Sequence, residues 1–319
     1  MEVRDSSGAS SHTHPSALSA RSPTPDVPFS LSLSYSLSLF APRTTTRHAP
    51  RAAQMLTDPT AGLGFLSDID GLFIQQKLEL FEAVTGCDTK NRYHITPIPR
   101  NSIPDPVPPE WIKHFREQAA KTPLLKAKEE SDCLERVCCP MFRAFNMDFQ
   151  DGQGTTFFAI HRPFKCSFNT PCCNLCPQEL TLYDANSQRV AHAREEFKCC
   201  WWFTRSFVTE TDRTQYHIQA PECSSSRGCN VCAPSCFNES YDMDVYDAHE
   251  DKIVSHAANV WPGCNCGGIT ERSNLLLRFP ADATPQQRAA LVAALMLVEF
   301  AHFEWKKGDN NGGGGGVGM

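Results

Sequence analysis

Through the middle of the chain apolar and polar residues alternate with period two, the pattern of strands buried on one face, and the runs come in pairs separated by turn residues. Four hairpins follow from it. Arg143 to Phe149 is expected to pair with Thr155 to His161 around Asp151-Gly152, and Glu179 to Asp184 with Arg189 to Arg194 around Asn186-Ser187. Phe203 to Thr209 pairs with Thr214 to Gln219 across Thr211-Asp212, and Tyr241 to Tyr246 with Lys252 to His256 across His249-Glu250. An earlier pair, Leu72 to Leu80 with Arg92 to Ile95, and a late strand, Asn274 to Phe279, bring the total to about ten. Antiparallel sheets of that size tend to curl closed, which removes their edges.

The period changes after the last strand. Thr284-Pro285-Gln286-Gln287 reads as a capping box with proline at the first helical position, and Lys306-Lys307-Gly308 supplies cationic last-turn residues followed by a terminating glycine. From Ala289 to Phe303 only Glu299 and His302 are polar, so the helix is apolar on every side and must be buried in protein or in lipid. The uncharged run between Arg288 and Glu299 is ten residues. That is well short of the ~20 that span a bilayer, which favours burial in protein. The helix is therefore expected to fill the barrel, burying Leu291, Leu295, Val298 and Phe300, with alanines at 289, 290, 293 and 294 letting strands approach its backbone.

Outside this region the composition changes. Residues 1–55 are rich in Ser, Thr, Pro and Ala with scattered arginines, and read as a disordered tail or as a mitochondrial or plastid transit segment, against which Glu2, Asp5 and Asp26 count. The folded domain is assigned to residues 56–307, with a proline-rich and helical insertion at 97–128, and residues 308–319 form a glycine-rich tail. In the insertion, Pro97 to Pro109 carries six prolines, and Trp111, Ile112, Phe115 and Ala119 share one side of a short helix. Pro106-Val107-Pro108-Pro109 has the composition of an SH3 or WW ligand as well as of a surface linker. The net charge of −6 provides no broad basic field, so no nucleic-acid partner is expected.

Sixteen cysteines in a chain whose most apolar early stretch, Phe29 to Phe40, is interrupted by serines point to reduced thiols. In an up-and-down sheet the hairpin turns share one rim and the longer links share the other. Cys133, Cys138, Cys139, Cys166, Cys172, Cys173, Cys176, Cys199, Cys200, Cys223, Cys229, Cys232, Cys236, Cys264 and Cys266 all fall in links, which leaves Cys87 as the exception. Three readings compete for them: zinc held by Cys229, Cys232 and Cys236 with Cys264 and Cys266; acylation, favoured at Cys172 and Cys173, where two chains hold a protein at a membrane and one barely does; or inert buried thiols. No coherent set of nucleophile, base and orienting group surrounds any cysteine.

The stretch from Gly62 to Ile95, GLGFLSDIDGLFIQQKLELFEAVTGCDTKNRYHI, resembles the first strands of the phospholipid scramblases. The resemblance resumes at Glu130 to Cys139 (ESDCLERVCC), at Arg162-Pro163-Phe164-Lys165-Cys166 and Cys172-Cys173, and in the Phe279-Pro280 loop before the closing helix. It implies a tubby-like twelve-stranded closed β-barrel around a buried hydrophobic C-terminal helix. It also implies calcium-stimulated, ATP-independent movement of phospholipids between leaflets, with palmitate on Cys172, Cys173 and Cys176 and residence on the cytosolic face of the plasma membrane; a mitochondrial location is the alternative. Where the family carries an acidic calcium loop, this chain offers Glu271, Ser273, Asn274 and Asp282 among two arginines and no glycine, so any calcium affinity is expected to be millimolar or weaker. A membrane-tethered interaction or signalling protein without transport activity is the alternative function.

Overall fold

A computed structural model of the chain describes residues 62–77, 90–105, 107–119, 121–138, 142–165, 169–170, 173–174, 176–196, 204–210, 214–263 and 273–304. Twelve strands form a closed antiparallel barrel: β1 (Ile69–Lys77), β2 (Arg92–Pro99), β3 (Leu125–Ser131), β4 (Phe145–Gln150), β5 (Thr156–Arg162), β6 (Glu179–Asp184), β7 (Arg189–Glu196), β8 (Thr204–Glu210), β9 (Thr214–Pro221), β10 (Ser240–Asp247), β11 (Ile253–Val260) and β12 (Asn274–Arg278). Every strand pairs with its neighbours in sequence. The ring closes where β12 returns to β1, from Gly71 opposite Arg278 to Gln75 opposite Asn274.

The four expected hairpins are present with ends shifted by one or two residues, except that β11 runs on to Val260. The barrel also contains β3, which the alternation did not disclose. Its inward positions are Leu125, Ala127 and Glu129, and its outward ones Lys126, Lys128 and Glu130, so charge hides the period. Because β2 continues through Pro97 to Pro99 and β3 starts at Leu125, the excursion from the wall is confined to residues 100–124.

Helix α3 (Pro285–Val298) starts at the rim where β12 ends and continues as a π-helical turn through Glu299–Phe303. Its capping box is formed: Gln287 N donates to Thr284 Oγ1 at 3.3 Å, and Thr284 N donates to Gln287 Oε1 at 2.8 Å. Every residue from Arg288 to Phe303 is buried, in one continuous core with the inward side chains of the barrel strands. The helix lies against β6, β7 and β8, and Ala191 and Ala193 of β7 are buried in the same core as its alanines at 289, 290, 293 and 294. Leu291, Leu295, Val298 and Phe300 are fully buried. Arg288 anchors the entry, donating through Nη1 to the carbonyls of Leu66 at 2.6 Å and Ile69 at 2.8 Å and through Nε to that of Ala283 at 2.9 Å. Among the described residues no helix is long and apolar enough to cross a membrane.

Helix α1 (Pro109–Ala119) lies outside the barrel. Ile112, Ala119, Trp111, Phe115 and Val107 join Phe73, Ile98, Ala258, Val260 and Leu276 in a second cluster over the closure seam. This cover explains why Leu72-Phe73-Ile74 and Leu275-Leu276-Leu277 are buried on both faces and apolar without alternation.

Candidate functional site

At one rim β1, β3, β5, β7, β9 and β11 end and the next strand in sequence begins. Six links join strands there, and all sixteen cysteines fall within them. Cys87 is no exception: it lies outside the described residues, but the strand ends that flank its segment, Lys77 and Arg92, pair with each other at this same rim. Among the described residues Cys133, Cys223, Cys229, Cys232 and Cys236 are exposed free thiols, and Cys176 is half-buried.

The same links hold four of the five exposed large apolar side chains among the described residues: Leu134 (69 % exposed), Phe164, Val231 and Phe237 (91 % exposed). Short helix α2 (Cys133–Cys138) presents Leu134, and the link between β9 and β10 presents Val231 and Phe237. Leu134, Val231 and Phe237 each stand next in sequence to an accessible thiol, Cys133, Cys232 and Cys236 respectively.

The expected site residues distribute unevenly over the barrel. Cys172 lies outside the described residues and Cys173 stands in a two-residue ribbon, Cys173–Asn174 paired with Asn169–Thr170, so Cys173 and Cys176 share one short link with Phe164. Cys229, Cys232 and Cys236 share another link, yet among the described residues no three His, Cys, Asp or Glu side chains gather to hold a metal; Cys264 and Cys266 lie outside the description. Of the calcium candidates, Glu271 lies outside it. Ser273 and Asn274 stand buried at the cysteine-bearing rim, where Asn274 Nδ2 donates to Val260 O at 3.5 Å and its Oδ1 accepts from Gln75 at 3.5 Å. Asp282 follows β12 at the opposite rim. At ~3.3 Å per residue the strand alone separates the two groups by roughly 13 Å, and one ion with ~2.4 Å bonds cannot touch both.

Beneath the rim lies a polar cluster that sequence reasoning did not find. Arg143 donates through Nε to Glu129 Oε1 at 2.6 Å and through Nη2 to Glu129 Oε2 at 2.8 Å and Glu304 Oε1 at 2.8 Å, clamping the end of the helix to β3. Asn91 Nδ2 donates to both carboxylates, at 2.9 and 3.1 Å. Burial pushes Glu129 up, but the hydrogen bonds and charge of Arg143 outweigh it and hold the carboxyl below the usual range. The two carboxylates hold Arg143 above its ordinary value despite burial.

Arg162 Nη2 donates to Gln178 Oε1 at 2.8 Å; burial, with Arg143 adding repulsion, pushes this guanidinium down to about 10 against the pull of Glu304. Phe300 of the π-helical turn packs on Phe145 at 4.4 Å between centroids, with the guanidiniums of Arg143 and Arg162 at 6.0 and 5.8 Å from its ring. On the far side of the helix end, His302 stands 3.5 Å from Glu222. The one sequence signal for this cluster was Glu129 at an inward step of period two.

A family model described as Scramblase matches residues 114–305. The chain belongs to the scramblase family. It is 27 % identical over 243 residues to human phospholipid scramblase 1, a match covering 76 % of this chain and 66 % of that protein, just under two thirds of its length. Cattle phospholipid scramblase 2 is 26 % identical, with 78 % and 73 % covered, and human phospholipid scramblase family member 5 is 25 % identical, with 76 % and 77 % covered. No solved structure matches.

Two of the segments that resemble the family lie at the cysteine-bearing rim. In ESDCLERVCC, Arg136 Nη1 donates to Ser131 O at 2.7 Å and Glu135 Oε2 accepts from Ala144 N at 2.8 Å, fastening α2 between β3 and β4. In the motif at Arg162, Lys165 pairs with Glu179 at 2.7 Å and its carbonyl accepts from Gln178, which orders the link that carries Phe164.

Proposed function

We propose that this chain is a phospholipid scramblase that docks its cysteine-bearing rim on the cytosolic face of the plasma membrane and moves phospholipid between leaflets without ATP. The observation that carries the reading is that four of the five exposed large apolar side chains among the described residues fall in three of the six cysteine-bearing links. Palmitate on Cys172, Cys173 and Cys176 would supplement those side chains: each buried methylene contributes about 0.8 kcal/mol, so two chains make the attachment durable. Calcium is assigned a weak, millimolar role through Glu271, Ser273 and Asn274, because the donors bring too little carboxylate for more. An SH3 or WW partner at Pro106 to Pro109 would have to lift Val107 from the seam cluster.

A second reading, a membrane tether without transport, has its own support. The outward positions of β3 and β4 include Lys126, Lys128, Glu130, Asn146 and Asp148, a wall unsuited to hydrocarbon, and the enclosed helix provides no polar path through ~30 Å of lipid. A mitochondrial address read from residues 1–55 belongs with either.

Reconstitution of the full chain in liposomes with a fluorescent phospholipid and external dithionite separates the two. Scrambling predicts that calcium exposes inner-leaflet label to bleaching, and protected label in both conditions refutes transport. Phe237→Ser tests the rim itself. With a nearly fully exposed ring its thermal stability should match the wild type while vesicle affinity falls about tenfold or more, from the transfer free energy of one phenylalanine. Unchanged vesicle affinity would show that this loop stays in water.

A further inference from the structure

We propose that the excursion between β2 and β3, residues 100–124, is a strap that pins the β9–β10 link and so sets how that link presents its thiols and apolar side chains. The link, residues 222–239, carries the exposed thiols of Cys223, Cys229, Cys232 and Cys236 together with the exposed side chains of Val231 and Phe237. The strap does not depend on the membrane reading above, because its fastenings are internal to the chain.

The link begins with a ribbon, Ser224–Ser225 paired with Gly228–Cys229, whose tip lies down the outer wall of the barrel. There Ser226 N donates to Asp244 Oδ2 at 2.9 Å and Ser226 Oγ donates to Asp244 Oδ1. Asp244 is four residues into β10 from Ser240 at the cysteine-bearing rim, so the tip reaches well toward the other rim. The register brings it near the end of β12. Asp244 stands opposite His256, and the next residue of β11, Ala257, stands opposite Leu277, the neighbour of Arg278.

The strap arrives at the same place. Asp105 Oδ1 accepts from Arg227 Nη2 at 2.6 Å, and its Oδ2 lies 3.2 Å from Arg278 Nη1. Arg278 Nη2 also donates to the strap carbonyl of Pro104 at 2.8 Å. One carboxylate therefore joins the ribbon tip to the end of β12. The hydrogen bond and charge of Arg227, with Arg278 adding to them, hold the Asp105 carboxyl below the usual range.

A second fastening acts at the other end of the link. Arg116 Nη1 of α1 donates to Trp261 O at 3.1 Å, and Trp261 N donates to the carbonyl of Glu239, the last residue before β10, at 2.7 Å. Between its two fastenings the strap is seated by apolar packing, with Phe115 on Phe73 at 5.8 Å between centroids and Ile112 and Ala119 buried over the seam. Removing a polar fastening thus frees the link while the packing keeps the strap in place.

The test is hydrogen–deuterium exchange of the full chain, read peptide by peptide. Asp105→Asn should speed exchange in 222–239 about two- to fivefold, the worth of one partly exposed ion pair, since Asp105 is 60 % and Arg227 22 % exposed. Asp105→Glu, which keeps the charge, should restore most of the protection. Salt near ~1 M should bring the wild type to the level of Asp105→Asn and leave that variant unchanged. Arg116→Met should speed exchange in peptides that contain Glu239 and Trp261. Exchange in β4 to β7 and the melting temperature should stay at the wild-type values in each case. Unchanged exchange in 222–239 in the Asp105→Asn, Arg116→Met double variant overturns the strap, and so does acceleration spread equally over β4 to β7. Neither result touches rim docking, which vesicle binding tests separately.

Discussion

Replacing Arg143 with methionine removes a cation that two carboxylates share. In the native protein its fork meets both oxygens of Glu129 and one of Glu304, with the Arg143 and Glu129 side chains essentially inaccessible and Glu304 18 % exposed. Methionine matches the aliphatic stem but leaves Glu129 buried with Asn91 and Ser131 as its remaining donors. Breaking one side of a buried pair costs about 3–5 kcal/mol, and two unit charges at ~4 Å with an effective dielectric of ~20 give a similar ~4 kcal/mol. For a domain of this size each kcal/mol lowers the melting temperature by about 2–4 °C, so Arg143→Met should melt about 10 °C below wild type by circular dichroism at neutral pH. Adding Glu129→Gln removes the stranded charge and should recover more than half of the loss. A single variant within about 2 °C of wild type, or a double variant whose losses merely add, would refute the assignment of Arg143 as the clamp between β3 and the helix end.

Two further outcomes are expected from the same scaffold. A Cβ on Gly71 would stand 2.2 Å from the carbonyl oxygen of Leu277, so Gly71→Ala should force β1 away from β12 and cost about 1–3 kcal/mol in denaturant titrations, where an unstrained glycine site would gain stability on the same change. Stability should also decline with acid in two steps. His94 is depressed to about 4 in the fold, so the stability of its neutral form is complete above its unfolded value near 6.5 and is lost as the pH falls from there toward about 4. Glu129 is depressed too, and its contribution is present above the ordinary glutamate range and lost as the pH falls below it. His94→Asn should flatten the first step and Glu129→Gln the second; an unfolding midpoint constant between pH 7 and 4 contradicts the first, and one that stays constant on further acidification below the ordinary glutamate range contradicts the second.

The barrel was legible wherever one face of a strand meets water. In β4 to β7 outward polar residues alternate with inward apolar ones, and the turn residues between them mark each hairpin. The capping box at Thr284 was legible because it is a local interaction spanning three residues. The alternation failed at β3, where the inward step after Ala127 is Glu129, and no local pattern tells a buried glutamate with a partner 14 residues away from a solvated one. It also misplaced Cys87, since the rim to which a link belongs depends on the parity of strands, and the missing β3 altered that parity for β1 and β2. The exposed apolar side chains of the rim were illegible for a related reason: Phe237 and Phe207 look alike in sequence, yet one projects from a link and the other fills the core.

The apolar character of α3 does not by itself decide where the helix resides, because lipid tails and a protein interior accept leucine about equally well. The polar residues at its two ends decide it. Leaving the barrel for hydrocarbon would strip Arg288 of the carbonyls of Leu66, Ile69 and Ala283 and would part Glu304 from Arg143 and Asn91. Arg288 and Glu299 are also separated by ten residues, about 16 Å of helix, so a helix spanning ~30 Å of hydrocarbon would hold at least one of them inside it at a cost of about 2.5–3.5 kcal/mol or more. The interior of the barrel satisfies both ends at once, and the rim where the helix stops carries the accessible thiols and exposed apolar side chains.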